Sequence, residues 1–436
     1  MVRQLKLTFF GGAHYHISGW RAPTAWSNLS DLDHWLRIVQ KCEDAKFDAL
    51  FIADSAGPFE YFTNVFSRMP RPIRLHPVAL ASALAMKTNR IGIAATIATT
   101  FNQPYEVARQ LAAMDLISNG RAGWNIVTGG LADDGLQFGG TFPDTEERYA
   151  RGEEFVDVVT KLWESVDADA FPRDKVSGIY TAPDKMRTID FAGKYFKVRG
   201  PLSAERSPQG RPVLVQAGQS APGRALASRT SEVIFTAQSA YEGGHEFYKD
   251  IKRRAGEWGR DPNSVLIMPG IVPFLGESRA EAEDKAAALD ELLDPAVGIP
   301  KLNVWLHGID LSQFDLDAPF PELPDSATTS RGRNYVDMAR RENLTLRQVM
   351  MRSAKSNAHL CVTGTAADVA DQMEHWFRHE GADGFNLLGA TVPDSLDDFI
   401  RMVLPELRRR NLFRTEYEGF TLRENLGIPL APIPQR

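Results

Sequence analysis

Inside GRAGWNIVTGG, residues 120–130, one carboxamide, Asn125, stands in an apolar run, and Thr128 stands where that run stops. A buried carboxamide needs partners, so the pair marks either a strand end tied to its neighbour or a surface shaped for a polar ligand. PVLVQAGQSAPGRALASR, residues 212–229, offers a second candidate. Gly218 and Ser220 immediately precede a helical pattern there, and the free N–H groups and positive dipole end of a helix favour anions, phosphate above all. No Lys-Ser/Thr follows these glycines and no GxGxxG opens a helix after a strand, which excludes a Walker loop and a nicotinamide-binding module. His14 and His16 follow the first apolar stretch. With no convincing third ligand nearby they do not suggest a metal site, but a histidine titrates near neutrality and suits proton transfer.

Eight apolar stretches must position these groups: 5–10, 48–53, 91–98, the run holding Asn125, 212–217, 232–237, 265–275 and 384–389. Helical patterns alternate with them. The first begins at Leu32 behind Ser30 and Asp33, which have capping-box spacing. Others cover 77–88, 104–120, the turns carrying Phe155 to Trp163, 222–230, 240–258, 278–293, 365–380 and 394–410. Near-continuous apolar strands alternating with amphipathic helices specify a parallel sheet covered by helices. Eight such units predict an α/β protein with one (β/α)8 TIM barrel spanning 1–436. Insertions follow strands 4 and 7, at about 166–211 with a hairpin at KYFKV and at about 295–364. An extension from about 411 to 436 is too rich in proline for a regular helix. Active sites of this fold are built where strands end. Asp54, Thr96, Asn125, Thr128, Gly218 and Ser220 all fall there.

The composition is 43% hydrophobic and 24% charged with a net charge of -6, which argues against a nucleic-acid-binding surface. No apolar window is long enough to span a bilayer and the amino terminus lacks a secretory signal, so a cytoplasmic protein is expected. Cys42 and Cys361 are too few for a disulfide framework and read as small buried hydrophobes.

LFIADSAG, TIATTFNQPYEVAR, GRAGWNIVTGG, PVLVQAGQSAPGR and HGIDLSQFDLDAPFP occur in an order that closely resembles the bacterial-luciferase-like flavin monooxygenases. The branch resembled contains nitrilotriacetate, dibenzothiophene-sulfone and long-chain-alkane monooxygenases, and the similarity covers nearly the whole chain. It implies non-covalent FMN, supplied reduced by a separate NAD(P)H:flavin reductase, with O2 as co-substrate and a small organic substrate. By matching position, the resemblance assigns Asp54, Thr96, Asn125 and Thr128 to the flavin ring and ribityl chain. It assigns Tyr149, Gly218 and Ser220 to the phosphate, with Arg148 beside them as added charge. It makes His14 the first catalytic candidate, facing the flavin's reactive carbon, with Asn125 beside the ring. Phe59, His76 and His307 fall on the substrate side, and the segment 295–335 suggests a lid. Gly129-Gly130 after Thr128, Phe59 for a tyrosine, His76 for an acidic residue and Gln219 for a serine depart from the family pattern and bear on the substrate class. A homo-oligomer is expected, with the Pro-rich tail offered to a neighbouring subunit. Two rivals share the barrel: a deazaflavin-dependent hydride-transfer enzyme and a flavin-binding barrel without turnover.

Overall fold

The apolar stretches become strands because each is covered on both faces, by helices outside and by other strands' side chains within. The computed structural model describes residues 3–11, 14–55, 68, 75–129, 132–306, 309–323 and 330–431. Its strands are β1 (Lys6–Gly11), β2 (Ala49–Ile52), β3 (Gly92–Ala98), β4 (Ala122–Val127), β5 (Phe191–Ala192), β6 (Lys197–Val198), β7 (Val213–Gln216), β8 (Val233–Thr236), β9 (Leu266–Leu275), β10 (Leu360–Gly364) and β11 (Gly384–Leu387). Eight of them close a parallel ring in the order β1-β2-β3-β4-β7-β8-β9-β11 and back to β1. This is the (β/α)8 barrel expected, with every barrel strand where its apolar run stands.

Helices follow the strands: α1 (Leu32–Asp44), α2 (Pro77–Ala85), α3 (Pro104–Ile117), α4 (Ala132–Leu136), α5 (Thr145–Trp163), α6 (Ala221–Thr230), α7 (Tyr241–Glu257), α8 (Arg279–Glu291), α9 (Pro295–Asn303), α10 (Ser330–Glu342), α11 (Leu346–Ser356), α12 (Ala366–Arg378), α13 (Asp394–Asp398), α14 (Leu404–Arg409) and α15 (Leu422–Leu426). The cap of α1 differs from expectation. Asp31 is the N-cap and its side chain accepts from the Asp33 N–H, because a carboxylate one residue nearer the helix displaces Ser30. A further strand, β10, lies inside the stretch expected to be an insertion through 364. It pairs with the upper half of β9, outside the ring, and only alternate residues are buried, which left its sequence without a continuous apolar run.

In the first insertion β5 and β6 form the hairpin around KYFKV. The Glu154 carboxylate of α5 accepts the N–H groups of Lys194, Tyr195 and Phe196 at 3.0, 2.8 and 2.7 Å and so pins the hairpin tip to the barrel wall. The second insertion, α9 to α11, has its own core of Ile299, Leu302, Tyr335, Leu346 and Val349.

The N-terminal face is held by carboxylates that accept a strand's first N–H groups. Asp48 accepts from Leu7 at 2.7 Å, Glu232 from Leu214 at 2.7 Å, Asp383 from Ile267 at 2.9 Å and Asp115 from Ala122 at 3.0 Å. Asp48, Glu232 and Asp383 each tie one strand to its neighbour and so fix register, while Asp115 ties α3 to the start of β4. The described part of the extension closes this chain's own barrel from below. Leu422, Leu426 and Ile428 pack against Ala49, Ala94, Val213, Val233 and Leu266, Arg414 pairs with Asp48, and Arg423 pairs with Glu232 at 2.9 Å. It also forms a one-turn-plus helix, α15, behind the capping box Thr421–Glu424.

Burial leaves the two thiols unreactive. It pushes Cys42 well above its ordinary range and Cys361 up to about 11. The native protein is expected to release no thiolate-dependent colour with a disulfide reagent at pH 8 over minutes, and two equivalents after denaturation.

Candidate functional site

Residues alternate along each barrel strand between the helix layer and the barrel interior. Trp124 and Ile126 belong to the outer core, so Asn125 between them points inward. The strand registers then place Phe51, Asn125, Phe235 and Asn386 in one interior layer, contributed by alternate strands, with Phe10 and Thr96 in the layer above. Contacts agree with that layering. The rings of Phe51 and Phe235 lie 5.9 Å apart and Phe10 lies 5.8 and 6.2 Å from them, which makes an aromatic floor.

Asn125 and Thr96 form one relay. Asn125 Nδ2 donates to Thr96 Oγ1 at 2.8 Å, and Thr96 Oγ1 donates to the Ile52 carbonyl at 2.7 Å. That fixes the amide's orientation and leaves Asn125 Oδ1 buried with no hydrogen-bond partner among the described residues. A buried acceptor left unmet destabilises a fold unless a ligand meets it. Thr128 closes β4 beside α5, its carbonyl accepting from Thr100 Oγ1 at 2.7 Å. The loop then turns at Gly129, whose φ of +76° is the left-handed backbone that a serine at that position would strain. Asp54 follows β2 half-buried, and Ser55 donates to Asp134 at 3.3 Å.

The second half of the site is the start of α6. Ser220 is its N-cap and accepts from the Gly223 N–H at 3.3 Å, and its hydroxyl lies 3.4 Å from Tyr149 Oη of α5. Gly218 and Gly223 touch back to back. A Cβ on Gly218 would lie 2.8 Å from the Gly223 Cα, and one on Gly223 would lie 2.9 Å from Tyr149 Oη. Two glycines, a hydroxyl on each side and a ten-residue helix aimed at them suit a phosphate. Gln219 ties this turn to β8, donating to Thr236 Oγ1 and the Ala237 carbonyl at 3.2 and 3.1 Å.

Two expected site residues have other work in this geometry. Arg148, expected as added charge beside the phosphate turn, is engaged with the loop after β4. Its guanidinium donates to the Gly129 carbonyl at 2.6 Å, to the Pro143 carbonyl at 3.1 Å and to Thr145 Oγ1 at 3.0 Å, and it lies over the Phe142 ring. It shapes the loop after β4. His14 is buried, and both ring nitrogens are taken by backbone: Val392 N–H donates to Nδ1 at 2.9 Å and Nε2 lies 2.6 Å from the Trp26 carbonyl. Nδ1 therefore accepts and Nε2 carries a hydrogen toward the Trp26 carbonyl. His14 tethers the loops after β1 and β11. His14→Ala should lower stability by about 2–4 kcal/mol through a cavity and two lost hydrogen bonds. Thermal melting checks this, and flavin affinity should stay within about twofold of wild type.

His76 precedes α2 as an exposed residue that makes no cap hydrogen bond. Phe59 and His307 lie outside the described residues. In the segment expected to act as a lid, Asn334 of α10 donates to the Ala237 carbonyl after β8 at 3.5 Å. Sequence reasoning missed Asn386. Its signal was available, since GFNLLG, like GWNIV, carries one carboxamide in an apolar strand.

Known proteins share this architecture. The family model described as luciferase-like monooxygenase matches residues 8–384. Nitrilotriacetate monooxygenase component A of Aminobacter aminovorans is 43% identical over 98% of this chain and 97% of its own length. N-acetyl-S-(2-succino)cysteine monooxygenase of Bacillus subtilis is 42% identical over 98% and 97%. The crystal structure of a riboflavin lyase with modified FMN and riboflavin superposes with a TM-score of 0.87 at 33% identity, covering 98% of this chain and 96% of that one. With the barrel, its paired strand-end sites and matches of this extent, the chain belongs to the luciferase-like monooxygenase family.

Proposed function

We propose that this chain is the oxygenating component of a two-component monooxygenase that receives reduced FMN from a separate NAD(P)H:flavin reductase. The observation that carries the reading is the pairing, on one face of the barrel, of an unmet buried acceptor at Asn125 with the Gly218–Ser220 helix start. An amphiphilic cofactor with a polar heterocycle and a phosphate needs both. Asn125 Oδ1 would accept from the flavin, and the α6 N-terminus with Ser220 and Tyr149 would hold the phosphate. Asp54, Thr96 and Thr128 complete the lining. Reduced FMN, when bound, supplies the activation of O2. The chain's own contribution is to orient the ring over the Phe10, Phe51 and Phe235 floor and to keep water away from it.

For the substrate, two relatives are named for nitrilotriacetate and for a succinylated cysteine, both small molecules with several carboxylates. We infer a substrate of that kind, an aminopolycarboxylate or a carboxylated organosulfur compound. The test is a reconstituted assay with NADH, a flavin reductase, FMN and either compound. Consumption of O2 that rises with substrate, together with an oxygenated product, is expected. Deazaflavin turnover without O2 uptake would contradict the proposal.

A further inference from the structure

Asn386 sits at the centre of β11 and is 1% exposed, yet neither its Oδ1 nor its Nδ2 has a hydrogen-bond partner among the described residues. Its neighbours Phe385 and Leu387 belong to the outer core, so Asn386 points into the barrel. It shares the interior layer of Asn125, on the opposite side of the Phe51–Phe235 pair. Its register partners are Thr8 of β1 and Gly270 of β9. Gly270 has no side chain to offer it. The space a Cβ would take there is filled by the edge of His359, which stacks on Phe235 at 5.1 Å. A buried carboxamide with both atoms unmet destabilises the fold, and an apolar residue of the same shape would not. Functional sites are where proteins commonly keep such a group against stability.

We propose that Asn386 is a ligand-binding residue of the barrel interior, assigned here from its two unmet amide atoms. Asn125 has given its donor to Thr96 and retains an acceptor only. Asn386 retains both, side by side, and is complementary to an edge that presents an N–H next to a C=O. On the flavin reading above, on which this part rests, that edge is the pyrimidine edge of the isoalloxazine.

The experiment compares wild type with Asn386→Leu, measuring ligand-free melting and the affinities for FMN and for 3-methyl-FMN, in which the edge N–H is methylated. The expected result is a variant that melts higher than wild type but binds FMN about tenfold more weakly. Wild type should bind 3-methyl-FMN about tenfold more weakly than FMN, and the variant should bind the two alike. Wild-type FMN affinity and wild-type discrimination in the variant would overturn the proposal, whatever its stability. If wild type binds no flavin, the flavin reading fails by itself and the ligand-free melt decides for Asn386. Melting above wild type then supports a ligand-facing amide, and melting at or below it overturns one. Asn386→Ser gives the same binding comparison should the leucine variant not fold.

Discussion

Arg423→Ala is expected to destabilise the folded protein by about 3–5 kcal/mol, the usual cost of removing one partner from a buried ion pair. Arg423 is almost wholly buried beneath the barrel. It donates to Glu232 at 2.9 Å and to the Pro429 carbonyl at 3.1 Å, and so joins the C-terminal extension to the start of β8. Burial alone would push the Glu232 carboxyl up, but Arg211 and Arg423 outweigh it and hold the group below its ordinary range. A carboxyl depressed in the folded state contributes stability that is present above its unfolded pKa and is lost as pH falls through the folded one. Without Arg423 that loss begins at higher pH. Two measurements check this: a melting temperature lower by roughly 3–5 °C at neutral pH, given the unfolding entropy of a chain this long, and an acid-unfolding midpoint moved upward. Arg211 still pairs with Glu232 at 2.9 Å in the variant, so adding Glu232→Gln should lower stability further by leaving the buried Arg211 guanidinium without its carboxylate.

Gly218→Val should cost more than a hundredfold in FMN affinity while leaving riboflavin affinity nearly unchanged. A Cβ at 218 would lie 2.5 Å from Gln216 Nε2 and 2.8 Å from the Gly223 Cα. The second of these is helix backbone and cannot step aside. The turn must therefore open, and the N–H groups of the α6 start lose their aim. Charge-assisted hydrogen bonds are worth about 1.5–3 kcal/mol each, so losing two accounts for the factor. Riboflavin has no phosphate and does not depend on them. Asn125→Leu is the contrasting variant: it removes the buried acceptor beside the ring and should weaken FMN and riboflavin alike. Fluorescence titration of both flavins against the three proteins reads the comparison.

The barrel was legible because its strands are buried on both faces and read as unbroken apolar runs, and because the helices between them start and stop at proline, glycine and capping residues. β10 was not legible, since a strand outside the ring buries only one face and LCVTG shows only a short alternation. The destination of the tail was also hidden. Its prolines rule out a long helix, but nothing in its sequence says that Leu422 and Arg423 close this chain's own barrel. At the site, residue type and position at strand ends pointed to Asn125, Thr96 and Ser220, whose hydrogen bonds are made with neighbouring strands and helix turns. The tethering contacts of His14 and Arg148 were not legible. Whether an imidazole or a guanidinium faces a ligand or holds a loop depends on carbonyls far away in sequence, Trp26, Val392, Gly129 and Pro143, which only the fold brings to them.

The central claim is that the barrel mouth binds reduced FMN with its phosphate at the α6 start. Its most direct test is an anaerobic titration of the protein with photoreduced FMN and photoreduced riboflavin, repeated with Ser220→Ala. Reduced FMN should bind at least tenfold more tightly than reduced riboflavin, with the preference reduced severalfold in the variant, as expected when one hydroxyl at a phosphate-binding helix start is removed and the backbone N–H groups remain. Equal affinity for the two flavins, or a preference that Ser220→Ala leaves unchanged, would contradict it.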